Sequence, residues 1–334
     1  MWTLNTVVFK QLFDLKFLGD FAFPNYKTKS TEFKTNSGAV ILFNTNTGSI
    51  VYQKNAYKKM YPASTTKIIT AIITLENCNL DDTATVSENA INLPAGYVSA
   101  YLQVGEKLSI NDLLHLLLIV SANDAANVLA EHVGGSTENF SNMMNSKAKE
   151  IGCKNTNFTN PYGCHNENHY STAYDLCLIA NYAMQNEVFR QIVSTKTYTT
   201  SPTSMSESKK LMNTNRLLHQ YNREDNSENI FYYEYATGIK TGYTEQAKNC
   251  LVASAKKDNI EYIAVILSSQ TSEDNYNSQR YSDTKNLFST AFENYSLHTI
   301  KNMDDIITTV EIPNGDFIRR NLNLKLETFH YLHN

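Results

Sequence analysis

Gly38–Phe43 is continuously apolar, and after the polar turn Asn44-Thr45-Asn46-Thr47-Gly48 the apolar character returns over Ser49–Gln53, a pattern that predicts a β-hairpin. Pro62 then restricts the backbone, and Ile68, Ile69, Ala71, Ile72, Ile73 and Leu75 put apolar residues on every side. This predicts a helix from near Ser64 to Glu76, buried on every side. Ser109 with Asp112 opens a further core helix through Leu113–Val120, and Asp124 opens another that closes at Gly134-Gly135. Ser136 and Gly152 bracket a helix whose inward face carries Phe140, Met143, Met144, Ala148 and Ile151. A helix from Ser171 through Met184 follows, and residues 194–229 read as irregular strands and loops. Strand patterns then recur at Ala236–Tyr243, Cys250–Ala255 and Ile260–Ser268, predicting an antiparallel meander covered by a helix from about Asp283 to Tyr295. The segment around Pro94-Ala95-Gly96 shows neither period.

The ends of the chain read differently. Lys10, Asp14 and Lys16 interrupt every apolar run in residues 1–35, so neither a secretory apolar region nor a membrane span is expected there. A docked amphipathic helix is the expectation; a membrane-surface anchor is the alternative, and the weakly basic polar face speaks against it. Val310–Ile312 and Leu322–Leu326 read as strands. The expected division is an N-terminal segment over 1–35, a main domain over 36–298, and the start of a β-rich unit over 299–334.

With 334 residues, 42% of them hydrophobic, the chain can bury a full core. Its net charge of −4 and the absence of a basic stripe argue against nucleic acid as a partner. Five cysteines, none in a Cys-x-x-Cys pair, do not form a disulfide framework. Cys153, Cys164, His165 and His169 are near one another in sequence, but their spacing fits no zinc pattern, and neither metal nor cofactor is expected.

Chemistry enters at the mouth of the first helix. Ser64 and Lys67 are three residues apart and so share a face. A serine hydroxyl needs a neighbouring base to become a nucleophile, and lysine serves only when burial makes it neutral. The spacing alone says little, because it recurs at Ser146–Lys149, Ser206–Lys209, Ser254–Lys257 and Ser282–Lys285. What separates the first copy is its apolar helix and two further elements. Ser121-Ala122-Asn123 stands between two buried helices, where its polar groups either satisfy helix ends or face a cleft. Lys240-Thr241-Gly242 lies on a predicted strand, where glycine marks a close approach and the lysine and threonine suit a carboxylate. Ser-x-x-Lys, Ser-x-Asn and Lys-Thr-Gly in this order match the penicillin-binding proteins and class A β-lactamases.

Over about Gly38–Tyr295 the sequence resembles the low-molecular-weight penicillin-binding proteins that are serine-type D-alanyl-D-alanine carboxypeptidases, peptidase family S11. The resemblance runs through Tyr61–Lys67, Val104-Gly105-Glu106, Ile119–Ala125, His169–Ala173 and Gly238–Thr244. It implies an α+β fold with a five-stranded antiparallel sheet flanked by helices, beside an all-helical part. It implies that Ser64 attacks the penultimate D-alanine carbonyl of a peptidoglycan stem pentapeptide, with Lys67 taking its proton and Ser121 relaying one to the leaving D-alanine. Asn123 would hold the substrate amide, Lys240 and Thr241 the terminal carboxylate, and the backbone N–H groups of Ser64 and Tyr243, beside Gly242, the oxyanion. β-Lactams would acylate the same serine. An extracytoplasmic location is implied, although no signal peptide is legible. A class A-like β-lactamase and a non-catalytic penicillin- or peptidoglycan-binding module are the rivals. No Glu-x-x-Leu-Asn motif lies between Asn123 and Lys240, and all three motifs are complete.

Overall fold

A computed structural model describes residues 33–222, 225–270, 278–301 and 329–333. The reading of residues 1–32 and the strands expected at Val310–Ile312 and Leu322–Leu326 lie outside these described residues.

A five-stranded antiparallel sheet runs through the centre. The hairpin strands β1 (Ala39–Asn44) and β2 (Ser49–Lys54) join the meander β3 (Ala236–Thr244), β4 (Lys248–Lys257) and β5 (Ile260–Ser269) in the order β2-β1-β5-β4-β3. Val40 pairs with Ile266 and Leu42 with Ala264, so the first strand docks between its hairpin partner and the last strand. β1 reads as a continuous apolar run because both its faces are covered. Ile41, Val252 and Val265 point into one core, while Leu42, Leu251 and Ile266 point into another. Helix Ser278–Asn294 covers the second face with Leu287, Phe288 and Ala291.

The first face carries the helical part. The buried helix, α1, spans Lys67–Asn77, and around it lie α2 (Ile110–Leu118), α3 (Asn123–Gly134), α4 (Thr137–Ile151), α5 (Ala173–Ala183) and α6 (Glu187–Ser194). Ile68, Ile69, Ile72 and Ile73 of α1 are all buried, and each stabilises the fold by roughly 1.5–3 kcal/mol relative to an exposed side chain. Ser109 Oγ caps α2 by accepting from Asp112 N, and Ser136 Oγ caps α4 by accepting from Asn139 N, as the sequence predicts. Gly135 and Gly152 end α3 and α4 with left-handed backbone.

Four details depart from the sequence reading. Ser64 is not in an α-helix but in a 3₁₀ turn, Ala63–Thr66, that leads into α1. Thr172, not Ser171, caps α5, because Ser171 pairs its backbone with Met60. Helix α6 stands where the sequence suggests only strands and loops; Asn186 caps it, and Phe189, Ile192 and Val193 are its buried face. The covering helix begins at Ser278 rather than near Asp283. Within residues 194–229 stand a small hairpin, Thr197–Thr199 with Lys210–Met212, and a 3₁₀ turn, Arg216–Leu218. Ser296–Lys301 pairs antiparallel with Phe329–His333. No helix among the described residues is long and apolar enough to cross a membrane.

Candidate active site

The 3₁₀ turn explains the geometry of the Ser64–Lys67 pair. At three residues per turn, side chains at i and i+3 eclipse one another, so Ser64 and Lys67 stand in line rather than staggered. Lys67 Nζ reaches Ser64 Oγ at 2.9 Å, and it also donates to Asn123 Oδ1 at 2.6 Å and to the Tyr162 carbonyl at 2.9 Å. Lys67 is wholly buried. Burial holds its pKa well below the usual lysine value; Lys240 lowers it further, while Asp124 and Cys164 act in the opposite sense.

The opposite wall is β3, an edge strand. A side chain on Gly242 would lie 3.0 Å from Ser64 N and 3.2 Å from Ala63 Cβ, a tight fit that glycine avoids where the strand approaches Ser64. Lys240 is buried behind this wall, with Nζ donating to the Thr241 carbonyl at 3.0 Å. Desolvation and the nearby Arg280 push its pKa down to about 7. Thr241 Oγ1 lies 2.7 Å from Thr214 Oγ1, and the Tyr243 side chain is exposed.

Between these walls lies a cleft of about 870 Å³. Ser64, Ser121, Asn123, Thr241, Gly242 and Tyr243 line it directly, and both lysines sit just beneath its surface. All eight candidate residues thus gather around one cavity. Ser121 adopts left-handed backbone, φ 67°, at the turn that presents Ser121 and Asn123 to the cleft. The other four Ser-x-x-Lys copies do not line it. His169 has its ring nitrogens beside Thr66 Oγ1 and the Thr159 N–H, so it serves this site as a structural partner.

Sequence reasoning missed three contributors. The segment around Pro94-Ala95-Gly96 leads into a wall of the cleft at Tyr97 and Val98. Asp124 holds that wall by accepting from Ser99 Oγ and from the N–H groups of Ala100 and Leu102, while Asn123 N donates to Val98 O. Arg280, buried at the start of the covering helix, donates to the carbonyls of Gly242 and Cys250 and stiffens β3 from behind. The loop Asn160–Cys164 supplies the Tyr162 carbonyl, and a Cβ on its Gly163, φ +88°, would stand 1.9 Å from the Ala63 carbonyl oxygen. Of these only the Asn-Pro-x-Gly punctuation of the loop left a trace in the sequence.

Chemically, the arrangement is a buried amine against a hydroxyl, a second buried amine and a guanidinium behind an edge strand, and a cleft open to an extended ligand. It suits acyl transfer from an anionic substrate.

Comparison with known proteins agrees with this chemistry. Residues 25–271 match the family described as D-alanyl-D-alanine carboxypeptidase, peptidase S11. The D-alanyl-D-alanine carboxypeptidase DacF of Bacillus subtilis is 33% identical over 293 residues, covering 86% of this chain and 70% of that protein. The D-alanyl-D-alanine carboxypeptidase of Streptomyces sp. strain K15 is 35% identical over 243 residues, covering 68% and 78%. Among solved structures, the Streptomyces K15 DD-transpeptidase superposes with a TM-score of 0.69 at 31% identity, over 78% of this chain and 98% of that one. DacD of Francisella tularensis gives 0.70 at 28% identity, over 81% and 74%. Fold, cleft and relatives converge: this chain belongs to the D-alanyl-D-alanine carboxypeptidases of peptidase family S11.

Proposed function

We propose that this chain removes the terminal D-alanine from peptidoglycan stem peptides through an acyl-enzyme on Ser64, with residues 36–298 as the catalytic unit. The observation that carries this reading is the set of partners around Lys67 Nζ. A neutral amine has two N–H bonds and one lone pair. The carbonyl oxygens of Asn123 and Tyr162 can only accept, so they take the two N–H bonds, and the lone pair is left facing the Ser64 hydroxyl.

The steps follow from these positions. Lys67 accepts the Ser64 proton as Oγ attacks the penultimate D-alanine carbonyl. The N–H groups of Ser64 and Tyr243, on either side of the Gly242 approach, take the developing oxyanion. Ser121 passes the proton to the leaving D-alanine nitrogen. Asn123 serves the substrate amide as well as Lys67, and Lys240 with Thr241 receives the terminal carboxylate. Arg280 lends positive potential from behind the strand. Water then attacks the ester, with Lys67 as base. A β-lactam carries the same acylating carbonyl and forms a long-lived adduct on Ser64. With that substrate, the chain would work on the cell wall, outside the cytoplasm.

Labelled penicillin and a D-Ala-D-Ala pentapeptide test the reading. The protein is expected to take covalent label and release D-alanine, and Ser64→Ala to do neither. An unlabelled, inactive wild-type protein would overturn the proposal, and rapid turnover of penicillin would move the chain to the β-lactamase reading.

A further inference from the structure

The third partner of Lys67 is a backbone carbonyl, and backbone carbonyls are placed by loops. The loop Asn160–Cys164 is held from within by one side chain. Asn160 Oδ1 accepts from the N–H groups of Tyr162 (3.3 Å), Gly163 (2.8 Å) and Cys164 (2.9 Å), and its Nδ2 donates to the Cys164 carbonyl (3.0 Å). It is also fastened from outside. Thr70 Oγ1 donates to the Pro161 carbonyl at 2.6 Å.

The remaining fastening runs through His169. The Thr159 N–H, which can only donate, points at His169 Nδ1 from 3.0 Å, so Nδ1 is the acceptor. The neutral ring therefore carries its proton on Nε2 and donates it to Thr66 Oγ1 at 2.9 Å. Burial, with a smaller contribution from His165, keeps this ring neutral. Thr66 immediately precedes Lys67. One buried imidazole thus ties the residue beside the base to the root of the loop that carries the base's acceptor.

A surface connection has no need of this. Loops ordinarily satisfy their backbone with water, whereas here Thr70, Thr66 and His169 are buried, Thr70 bonding the loop itself and Thr66 reaching its root at Thr159 through His169. Buried polar networks of this kind, fully satisfied, specify a single arrangement. We propose that Asn160 and His169 are positioning residues for Lys67: they fix the Tyr162 carbonyl so that the amine's lone pair stays on Ser64. The inference rests on the reading of Lys67 as the base.

The test is the second-order rate of acylation by labelled penicillin as a function of pH, in wild type, Asn160→Ala, His169→Ala, His169→Asn and Thr66→Val. Asn160→Ala and His169→Ala are expected to acylate about 10²-fold more slowly, the loss typical of a displaced catalytic group. Their acid limb, where Lys67 takes up a proton, should move to higher pH, because a loosened loop admits water to a buried amine. Thr66→Val keeps the shape and loses only the hydroxyl, and should show a smaller change in the same direction. His169→Asn offers an amide oxygen to the Thr159 N–H and should recover part of the rate. If folded variants acylate at the wild-type rate, or more slowly with the acid limb unmoved, the loop is only structural and the inference is overturned. A wild-type protein that takes no label overturns the assignment of Ser64 and Lys67, and this inference with it.

Discussion

Two lysines lie beneath the same cleft, equally buried, and their surroundings assign them opposite tasks. Lys67 is ringed by a hydroxyl and two carbonyl oxygens from three separate segments, at 2.6–2.9 Å. Lys240 donates to the carbonyl of the next residue and sits near Arg280, on a strand edge that faces the ligand space. The first has acceptors enough to be complete without a ligand, and is free to be neutral. The second has a single carbonyl acceptor and sits near a guanidinium, which suits it to an anionic ligand group under the proposed function. Burial depresses both amines, so burial alone does not make a base. The geometry of the acceptors decides.

The hardest blow to this contrast should come at Lys67. Lys67→Ala is expected to lower acylation by about 10²–10⁴-fold, the range of a general base, with binding of a non-reactive peptide little changed. Lys240→Ala should cost about 10–10²-fold in kcat/KM, equivalent to roughly 1.5–3 kcal/mol for a charge-assisted hydrogen bond, and appear mainly in KM for carboxylate-bearing substrates. If it abolished acylation as fully as Lys67→Ala and left KM unmoved, the two lysines would share one task and the contrast would break. Thr241→Val should sharpen it with a loss of only a few-fold, about 0.5–1.5 kcal/mol, again in KM.

The smallest effect concerns stability. Lys240 has a folded pKa near 7 and an unfolded value near the ordinary 10.5, so between these the unfolded chain binds more protons and stability rises with pH. Lys240→Met removes that dependence. Its unfolding temperature should exceed that of the wild type most at pH below 7, and the difference should shrink as the pH climbs towards 10. Thermal unfolding at a series of pH values measures it, and a constant difference would mean that Lys240 is charged throughout.

Much of this was legible in the residues. Apolar periodicity located the strands of the central sheet and most of the helices because burial on a fixed face is a local pattern, and the caps Ser109 and Ser136 carried their own signatures. Helix α6 escaped because eight residues show barely two turns, although Asn186 followed by Glu187 was a usable start signal. The motif side chains were legible because their chemistry is in their identity. What was not legible is work done by backbone: the Tyr162 carbonyl, the Val98 carbonyl and the carbonyls that accept from Arg280 could belong to any residue type. Asp124 was legible as a helix opener, but its hold on the cleft wall and the part played by Arg280 were not, since each acts on main-chain groups far away in sequence.

Gly163 carries that distinction furthest. The carbonyl oxygen of Ala63 occupies the space where a side chain at 163 would begin. A methyl group there would push back the residue that precedes Ser64, leaving Ser64, Lys67, Ser121, Asn123 and Lys240 chemically intact. Such a variant would keep all three motifs complete in its sequence, yet the turn that carries Ser64 would have to move. For this architecture an inventory of side chains certifies the ingredients of catalysis, and the hydrogen atom of one glycine certifies their assembly.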